Sequence, residues 1–417
     1  MKKILIMDMG TYCDNNMMDL ITSNLHVQHE IIYITTTGRI VPPYVKSTYT
    51  FDMPSFIKNA EIDFDIMDNV TLWGLKNPLK AYKLYDWITT MKNLIEKAVI
   101  KHNPDKILLH YSVTMLLWRL NLNIPIYIIY YAPGLINKTI PWIFDPVLKS
   151  PDYTNSKELI ESTWESYYKK MSGLSIKEKP NEIFDKLRQA HHIFCWDPAV
   201  MPQYMPYTGY IGYSQYASDF KVSQVGFIYS QSHNHYNSTA FLHSHLHAKH
   251  AKHAFLSFGS YSSSPELLKI LPIIFDSLKK AKYFIIFHST QDKAPEWIKY
   301  ITNVYTHIGF LPYDWIVPQC DLVMFTGSVC MQTVCLYNKV SMIYVPLLAE
   351  QFFWARNYNA FTGVPFCNYL KKNMEIKRDL TMALTMDKSR EKRYLTKVAK
   401  SMRARNGVDG IVKILNK

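Results

Sequence analysis

The chain has 417 residues, 48% of them hydrophobic, so it can form two domains that each bury a core, and global disorder is excluded. Its formal net charge of +13 favours anionic partners, but no zinc-finger spacing or RNA-binding signature is present, and we predict no nucleic-acid partner. The six cysteines form no CxxC pair, and no apolar run approaches the roughly 20 residues that span a bilayer. We therefore expect free thiols and a soluble, cytoplasmic-type protein.

Strand patterns alternate with helix patterns in the first part of the chain. The apolar runs predict strands, and the 3.6-residue period predicts helices. The predicted strands are Ile4–Met7, Glu30–Thr36, Lys106–His110 and Ile124–Tyr130, and the predicted helices are Asn16–Leu25, Leu84–Ile100 and Val113–Leu120. Residues 40–75 contain prolines and no clear period, so we predict loops there. Continuous apolar strands separated by helices are typical of a parallel sheet covered on both faces.

A second alternation begins at His253 and includes a predicted helix over Pro265–Lys279. The Ser-, His- and Asn-rich stretch before it is predicted to be a linker. We therefore predict an α/β protein with two Rossmann-like, doubly wound domains that face each other across a cleft. Their bounds are 1–230 for the first domain, 231–250 for the linker and 251–400 for the second. A terminal helix follows at 401–417, and its return to the first domain is left open.

The predicted linker is rich in histidine. His243, His247 and His250 share one face of a helix, a spacing that suits metal ligands. Because no carboxylate or cysteine joins them, we predict an ordinary polar segment and no metal site.

The segment from Ile308 to Asn357 contains the motifs that indicate chemistry. Gly327 and Ser328 follow a predicted strand and precede a predicted helix. Backbone N–H groups and the N-terminus of that helix can therefore face an anion, with the serine hydroxyl as a further donor. A single turn of this kind is common and is weak evidence. The ordered set of three motifs is far more specific: Gly309-Phe310-Leu311-Pro312-Tyr313 precedes the turn, and Glu350-Gln351 follows it.

This ordered set resembles the nucleotide-sugar-binding signature of family 1 glycosyltransferases, the UDP-glycosyltransferases and their sterol and macrolide relatives. The resemblance implies the GT-B fold, with the acceptor in the first domain and the nucleotide sugar in the second. It also implies that the loop from Gly309 through Phe310, Leu311 and Pro312 to Tyr313 packs on the nucleobase. Gly327 and Ser328 would bind phosphate, and Glu350 and Gln351 would contact sugar hydroxyls. Upstream, Phe255–Ser260 resembles the family's Ser-Phe-Gly-Ser/Thr, which implies that Gly259 and Ser260 lie near the diphosphate.

Several positions depart from the family's pattern. Thr326 replaces a histidine, and Ser328 replaces a second glycine. Met331 and Val334 stand where the family has a serine and a glutamate that contact phosphate and ribose hydroxyls. Valine cannot accept a ribose hydroxyl, and each such hydrogen bond contributes roughly 0.5–1.5 kcal/mol net. Either another residue supplies the ribose contact, or donor binding is weaker or differently specified.

The resemblance also points to a catalytic pair. Family members place a base histidine after the first strand and an orienting aspartate after a later one. Here Asp14 falls at or beside the histidine position and His110 at the aspartate position, which suggests an exchanged dyad. Alternatively, Asp14 caps the following helix and His110 merely ends a strand. Asp8, nearer the end of the first strand, is the rival for the base.

The resemblance implies an inverting glycosyltransferase of hexosyltransferase type, which needs no metal or cofactor. It would move a sugar from a UDP- or TDP-sugar to a hydroxyl of a glycan, lipid or small molecule. The altered signature positions leave an alternative open, a degenerate GT-B scaffold that binds nucleotide or glycan without turnover. A sugar-nucleotide epimerase of the same architecture has no supporting residues. Trp73–Lys101 interleaves aromatic residues with lysine, which is typical of an ordinary surface helix and also compatible with contact with a membrane surface.

Overall fold

A computed structural model describes the two sheets and most of the elements that surround them. The described residues are 1–8, 12–52, 78–110, 120, 122–130, 189–196, 221–229, 242, 246, 252–289, 294–309, 311–347 and 349–417. Within them, the side chains of 12–16, 78–88, 260, 349, 350 and 353 are left undescribed.

The described elements include the strands predicted above and the predicted helices Asn16–Leu25, Leu84–Ile100 and Pro265–Lys279, together with three strands of the first sheet that were not predicted. In chain order they are β1 (Lys2–Met7), α1 (Tyr12–Leu25), β2 (His29–Thr36), β3 (Ser47–Phe51), α2 (Pro78–His102), β4 (Lys106–His110), β5 (Ile126–Tyr130), β6 (His191–Phe194), β7 (Lys221–Gln224), β8 (Lys252–Ser257), α3 (Pro265–Lys280), β9 (Tyr283–Ser289), β10 (Val304–Ile308), α4 (Tyr313–Ile316), β11 (Leu322–Phe325), α5 (Val329–Asn338), β12 (Ser341–Tyr344), α6 (Ala349–Thr362), α7 (Asn373–Thr385), α8 (Ser389–Ala404) and α9 (Gly407–Asn416). Short 3₁₀ turns lie at Gly259–Tyr261, Glu296–Tyr300 and Val317–Gln319.

The first sheet has seven parallel strands in the described residues, in the order β3-β2-β1-β4-β5-β6-β7. Strand β1, which lies between β2 and β4, is buried over Ile4–Met7, as a strand covered on both faces must be. The loop prediction for residues 40–75 is wrong at Ser47–Phe51, which forms the edge strand β3. This strand alternates half-buried and exposed residues and has no apolar run, so it lacked the signal of a buried strand. The predicted helix Val113–Leu120 lies outside the described residues apart from Leu120.

The second sheet has five parallel strands in the order β10-β9-β8-β11-β12. Helix α3 covers it with an apolar stripe that includes Leu267, Ile270 and Ile274, and Ser264 caps its start by accepting a hydrogen bond from the backbone of Leu267. In both sheets the strand order changes direction beside the first strand, between β1 and β4 and between β8 and β11. Ligands of doubly wound sheets bind at the carboxyl ends of the strands at such reversals. The predicted fold class, two Rossmann-like α/β domains, is confirmed.

The last helix lies against elements of the first sheet. Helix α9 packs on α1. At its C-terminal end the backbone carbonyl of Leu415 accepts a hydrogen bond from Lys106, and the side chain of Asn416 lies 2.6 Å from Nε2 of His29. At its start, Gly407 N–H donates to the carbonyl of Phe227 at 3.1 Å. These contacts tie the end of the chain to the amino-terminal ends of β2 and β4.

Cysteine pairing differs from the expectation. Cys195, Cys320, Cys335 and Cys367 are free and buried, but Cys330 is disulfide-bonded. The prediction of free thiols is therefore wrong for Cys330, because spacing along the chain does not show which cysteines meet in space. None of the described helices has the length and apolar character needed to cross a membrane.

Candidate functional site

Two predicted phosphate-binding segments lie side by side where the strand order of the second sheet changes direction, between β8 and β11. Phe325 of β11 pairs with Ser257 of β8, so the segments that follow both strands leave the same edge side by side. One of them contains Gly259 and Ser260, which open a 3₁₀ turn, and the other contains Gly327 and Ser328, which lead into α5. The four residues therefore lie at the edge where this type of sheet binds ligands.

The N-terminus of α5 is available to an anion. Ser328 occupies the N-cap position in an extended conformation, and its side chain makes no capping hydrogen bond to the helix. The N–H groups of the first turn carry the partial positive charge of the helix dipole and have no partner within the helix. This arrangement can bind a phosphate through backbone donors and the serine hydroxyl.

Gly327 brings this turn against the start of α6. Its φ is +116°, and a Cβ placed there would lie 3.1 Å from Cβ and 3.2 Å from Cα of Gln351. Only glycine combines this backbone conformation with so close an approach. The predicted phosphate-binding turn and the predicted sugar-binding residue Gln351 are thus direct neighbours.

Gln351 also has a structural partner. The residue is 6% exposed, and Oε1 of its side chain accepts a hydrogen bond from the backbone N–H of Leu347 at 2.8 Å. This bond closes the turn between β12 and α6. The neighbouring Glu350 lies in the first turn of α6, and its side chain is outside the described residues.

The predicted nucleobase loop is anchored at both ends. At its start, Gly309 has a φ of +99°, donates its N–H to the carbonyl of Ser289 at 3.1 Å and accepts from Nε2 of His288 at 2.8 Å. At its end, the Tyr313 hydroxyl lies 3.1 Å from Oγ of Ser257. Between them Leu311 and Pro312 are buried, and Phe310 is outside the described residues.

Ser257 and His288 are functional candidates that the sequence analysis missed. Ser257 is the cross-strand partner of His288, and the Ser257 hydroxyl lies 2.9 Å from Nδ1 of that histidine. A signal was present, since each is a polar residue at the end of an apolar strand, where parallel strands present ligand-binding groups.

The positions that depart from the family's pattern form part of the core. Thr326, Met331 and Val334 are all buried. Helix α5 packs against α8, α4 and α1, so most of its surface faces protein. Apolar side chains at 331 and 334 therefore stabilise packing, in agreement with the loss of the family's polar contacts there.

The predicted catalytic residues lie near the point where the strand order of the first sheet changes direction, between β1 and β4. Met7 of β1 pairs with Leu109 of β4, so Asp8 and His110 follow at adjacent carboxyl ends. His110 is buried at the end of β4. Asp14 lies in the first turn of α1, and its side chain is outside the described residues. The exchanged dyad therefore stays a prediction.

Asp8, the rival for the base, lies in a buried ionic network. It is 0% exposed, and its carboxylate accepts hydrogen bonds from Tyr33 at 2.7 Å and Thr35 at 2.8 Å and pairs with Arg39. Arg39 also pairs with Asp19 at 2.6 Å. Burial, with the charge of Asp8, raises the pKa of Tyr33 well above its ordinary value, so the phenol stays protonated and donates. These contacts give Asp8 a structural role and argue against it as the base.

Metal ligands are not assembled in the described part of the chain. It contains no group of three or more His, Cys, Asp or Glu residues that could hold a metal ion. His243, His247 and His250 lie outside the described residues.

Comparisons place this architecture among known structures. The chain is similar to the glycotransferase of kitacinnamycin, with a TM-score of 0.65, 14% identity, and coverage of 100% of this chain and 98% of that one. It is similar to a UDP-glucosyltransferase from Polygonum tinctorium capable of glucosylating indoxyl, with a TM-score of 0.65, 12% identity, and coverage of 100% and 99%. It is also similar to a spinosyn rhamnosyltransferase complexed with thymidine diphosphate, with a TM-score of 0.58, 11% identity, and full coverage of both chains.

Comparison of sequences, unlike comparison of structures, finds no match. No protein-family model matches the chain, and no curated protein matches it by sequence. The structural likeness extends over the whole chain at identities too low to carry residue roles. The chain therefore has the GT-B fold found in family 1 glycosyltransferases.

Proposed function

We propose that the protein is an inverting glycosyltransferase that moves a hexose from a nucleotide-diphosphate sugar, UDP- or TDP-linked, to a hydroxyl group of an acceptor held by the first domain. The observation that carries the proposal is the N-terminus of α5, which lies where the strand order of the second sheet changes direction. Ser328 makes no capping hydrogen bond there, and Gly327 packs on Gln351. The fold supports it, because similar structures include glycosyltransferases solved with thymidine diphosphate or UDP.

The donor would lie along the carboxyl edge of the second sheet. The loop from Gly309 to Tyr313 would receive the base, and Glu350 with Gln351 would bind the sugar. Gly259, Ser260, Gly327 and Ser328 would surround the diphosphate. The α5 dipole and backbone N–H groups would stabilise the charge that develops on the leaving group, so no metal is required for this step.

The reaction would be a single displacement at the anomeric carbon. The acceptor oxygen forms the new bond on the face opposite the diphosphate while the carbon–oxygen bond to the diphosphate breaks, so the configuration inverts. The nucleoside diphosphate leaves with the bonding electrons, and the acceptor's proton passes to the base. We assign the base to the pair formed by Asp14 and His110, since Asp8 is engaged elsewhere.

A calorimetric screen with UDP, TDP, GDP and their common sugars tests the donor site. Glu350→Ala should remove the part of the affinity that the sugar adds and leave binding of the bare nucleotide unchanged. Glu266→Ala is the matched control, because Glu266 is also the second residue of a helix of this domain. Gln351→Ala needs a parallel melting curve, since it also removes the hydrogen bond to Leu347.

The outcomes separate the proposal from its alternative. Selective binding of one nucleotide sugar, with release of its nucleotide in the presence of an acceptor, supports the transferase. Binding without release under any acceptor identifies a degenerate scaffold that holds nucleotide without turnover. Absence of binding by every nucleotide overturns the donor site.

A further inference from the structure

A chain of buried and half-buried hydrogen bonds joins two strands of the second sheet to the loop from Gly309 to Tyr313, hereafter the 309–313 loop. Its members are the Tyr313 hydroxyl, the Ser257 hydroxyl, the His288 ring and the Gly309 carbonyl. The successive distances are 3.1 Å, 2.9 Å and 2.8 Å. The chain thus connects the end of the loop to its beginning through the sheet edge.

For a neutral His288 ring, the chemistry of the groups fixes the direction of every hydrogen bond. A backbone carbonyl can only accept, so Nε2 of His288 carries a proton and donates to Gly309. In the neutral ring Nδ1 is then an acceptor, and the Ser257 hydroxyl donates to it. The Ser257 oxygen in turn accepts from the Tyr313 hydroxyl. Each of the four groups has one defined role.

The environment favours the neutral ring that this order requires. His288 is 2% exposed, and burial lowers its pKa from the ordinary value, outweighing the opposite effect of the hydrogen bond to Gly309. The charge of His307 on the neighbouring strand lowers it further. The Tyr313 ring packs edge-on against His288 with centroids 5.8 Å apart.

These contacts restrict the loop on both sides. Gly309 has its N–H and its carbonyl bound, to Ser289 and His288, at a positive φ that only glycine adopts easily. Tyr313 is held through Ser257 at the first position of α4. Leu311 and Pro312 between the two anchors are buried, and this packing lowers the entropy cost of binding a flat ligand there.

We propose that His288, acting through Ser257 and the Gly309 carbonyl, is a positioning residue that holds the 309–313 loop in the shape that receives the nucleobase of the donor. The inference rests on the proposed function for the identity of the ligand. His288 itself does not touch the donor.

Two substitutions at His288 separate positioning from packing. Phenylalanine keeps a ring of similar size but neither donates nor accepts, whereas glutamine keeps an N–H donor and an oxygen acceptor. His288→Phe should raise the Kd of the bound nucleotide and the KM of the donor sugar about tenfold, as expected for the loss of about 1.4 kcal/mol of hydrogen bonding. The acceptor KM and kcat should change less than about twofold. His288→Gln should recover most of the affinity.

The matched control is His253→Phe. His253 is also buried in the second sheet, but it lies at the opposite, amino-terminal end of β8. His253→Phe should lower the melting temperature about as much as His288→Phe does, but it should leave nucleotide binding unchanged. Unchanged affinity in His288→Phe overturns the proposal, and so does equal weakening in His288→Phe and His288→Gln.

A measurement on the ligand-free protein keeps the hydrogen-bond chain testable apart from the function. Nitrogen-15 NMR of the histidine rings should show His288 neutral, with the proton on Nε2. A proton on Nδ1 contradicts the chain. If the wild-type protein binds no nucleotide, the proposed function fails. That result is distinguishable from a failure of the positioning role, because it is seen in the wild-type protein without any substitution.

Discussion

The buried network around Asp8 leads to a quantitative prediction. Asp8→Asn keeps the size of the side chain but removes the charge that faces Arg39, whose side chain is only 3% exposed. Breaking a buried ion pair by removing one partner costs about 3–5 kcal/mol. Asp19, 35% exposed, still pairs with Arg39, so we expect the lower end, about 3 kcal/mol. For a domain of this size that corresponds to a fall in Tm of about 6–12 °C.

Urea denaturation and scanning calorimetry measure the effect. Asp19→Asn is the control, because it removes the more exposed partner and should cost less than about 1 kcal/mol. In Asp8→Asn/Arg39→Met no buried charge is left without a partner, and part of the stability should return. If Asp8→Asn kept the stability of the wild type but lost sugar transfer, Asp8 would be the base and its structural role would be refuted.

Further predictions concern pH, packing and pairing. Burial, with the charge of nearby lysines, lowers the pKa of His191 to about 4 from about 6.5. Between these pH values the unfolded chain binds the proton more readily than the folded one. The contribution of His191 to the free energy of unfolding is therefore fully present above pH 6.5 and is lost as the pH falls toward 4. His191→Gln should therefore flatten the dependence of the urea midpoint on pH in this window, and an unchanged slope would contradict the assignment. Glu391→Ala should lower the free energy of unfolding by about 3 kcal/mol, because it leaves a serine, a tyrosine, a lysine and a backbone N–H without their buried acceptor, and a loss below about 1 kcal/mol would refute this role. Gly327→Ala should destabilise the turn by about 1–2 kcal/mol and weaken nucleotide binding, because its Cβ meets Gln351, and full affinity in a folded variant would count against the phosphate site. Peptide mapping without reduction should recover Cys330 in a cross-linked peptide, and a free thiol at this position would contradict the disulfide.

The sheets could be predicted from the sequence because their strands are apolar and buried on both faces. Runs such as KILLH in β4 and YFIIFH in β9 give an unambiguous strand signal. Strand β3 could not be predicted, since STYTF has one face near solvent and its place in the sheet depends on pairing with β2. Strands β6 and β7 were not predicted either, since HHIF and KVSQ are short and contain polar residues. Local patterns thus give the long apolar strands but not the short polar ones.

The candidate site divides in a similar way. Gly309, Gly327 and Ser328 follow strands directly, so their place at the sheet edge could be derived from chain order. The partners of these residues could not, because they depend on packing between distant segments. Asp8 reaches Arg39 across 31 residues, and His288 reaches Gly309 across 21. No periodicity in the sequence indicates such hydrogen bonds.

The most direct test of the central claim is the release of nucleoside diphosphate from a nucleotide sugar, measured with the wild-type protein and a panel of hydroxyl acceptors. The account predicts release that depends on the acceptor, with a product whose anomeric configuration is opposite to that of the donor. Tight binding of nucleotide sugars with no release under any acceptor would contradict it, and the fold would then serve binding alone.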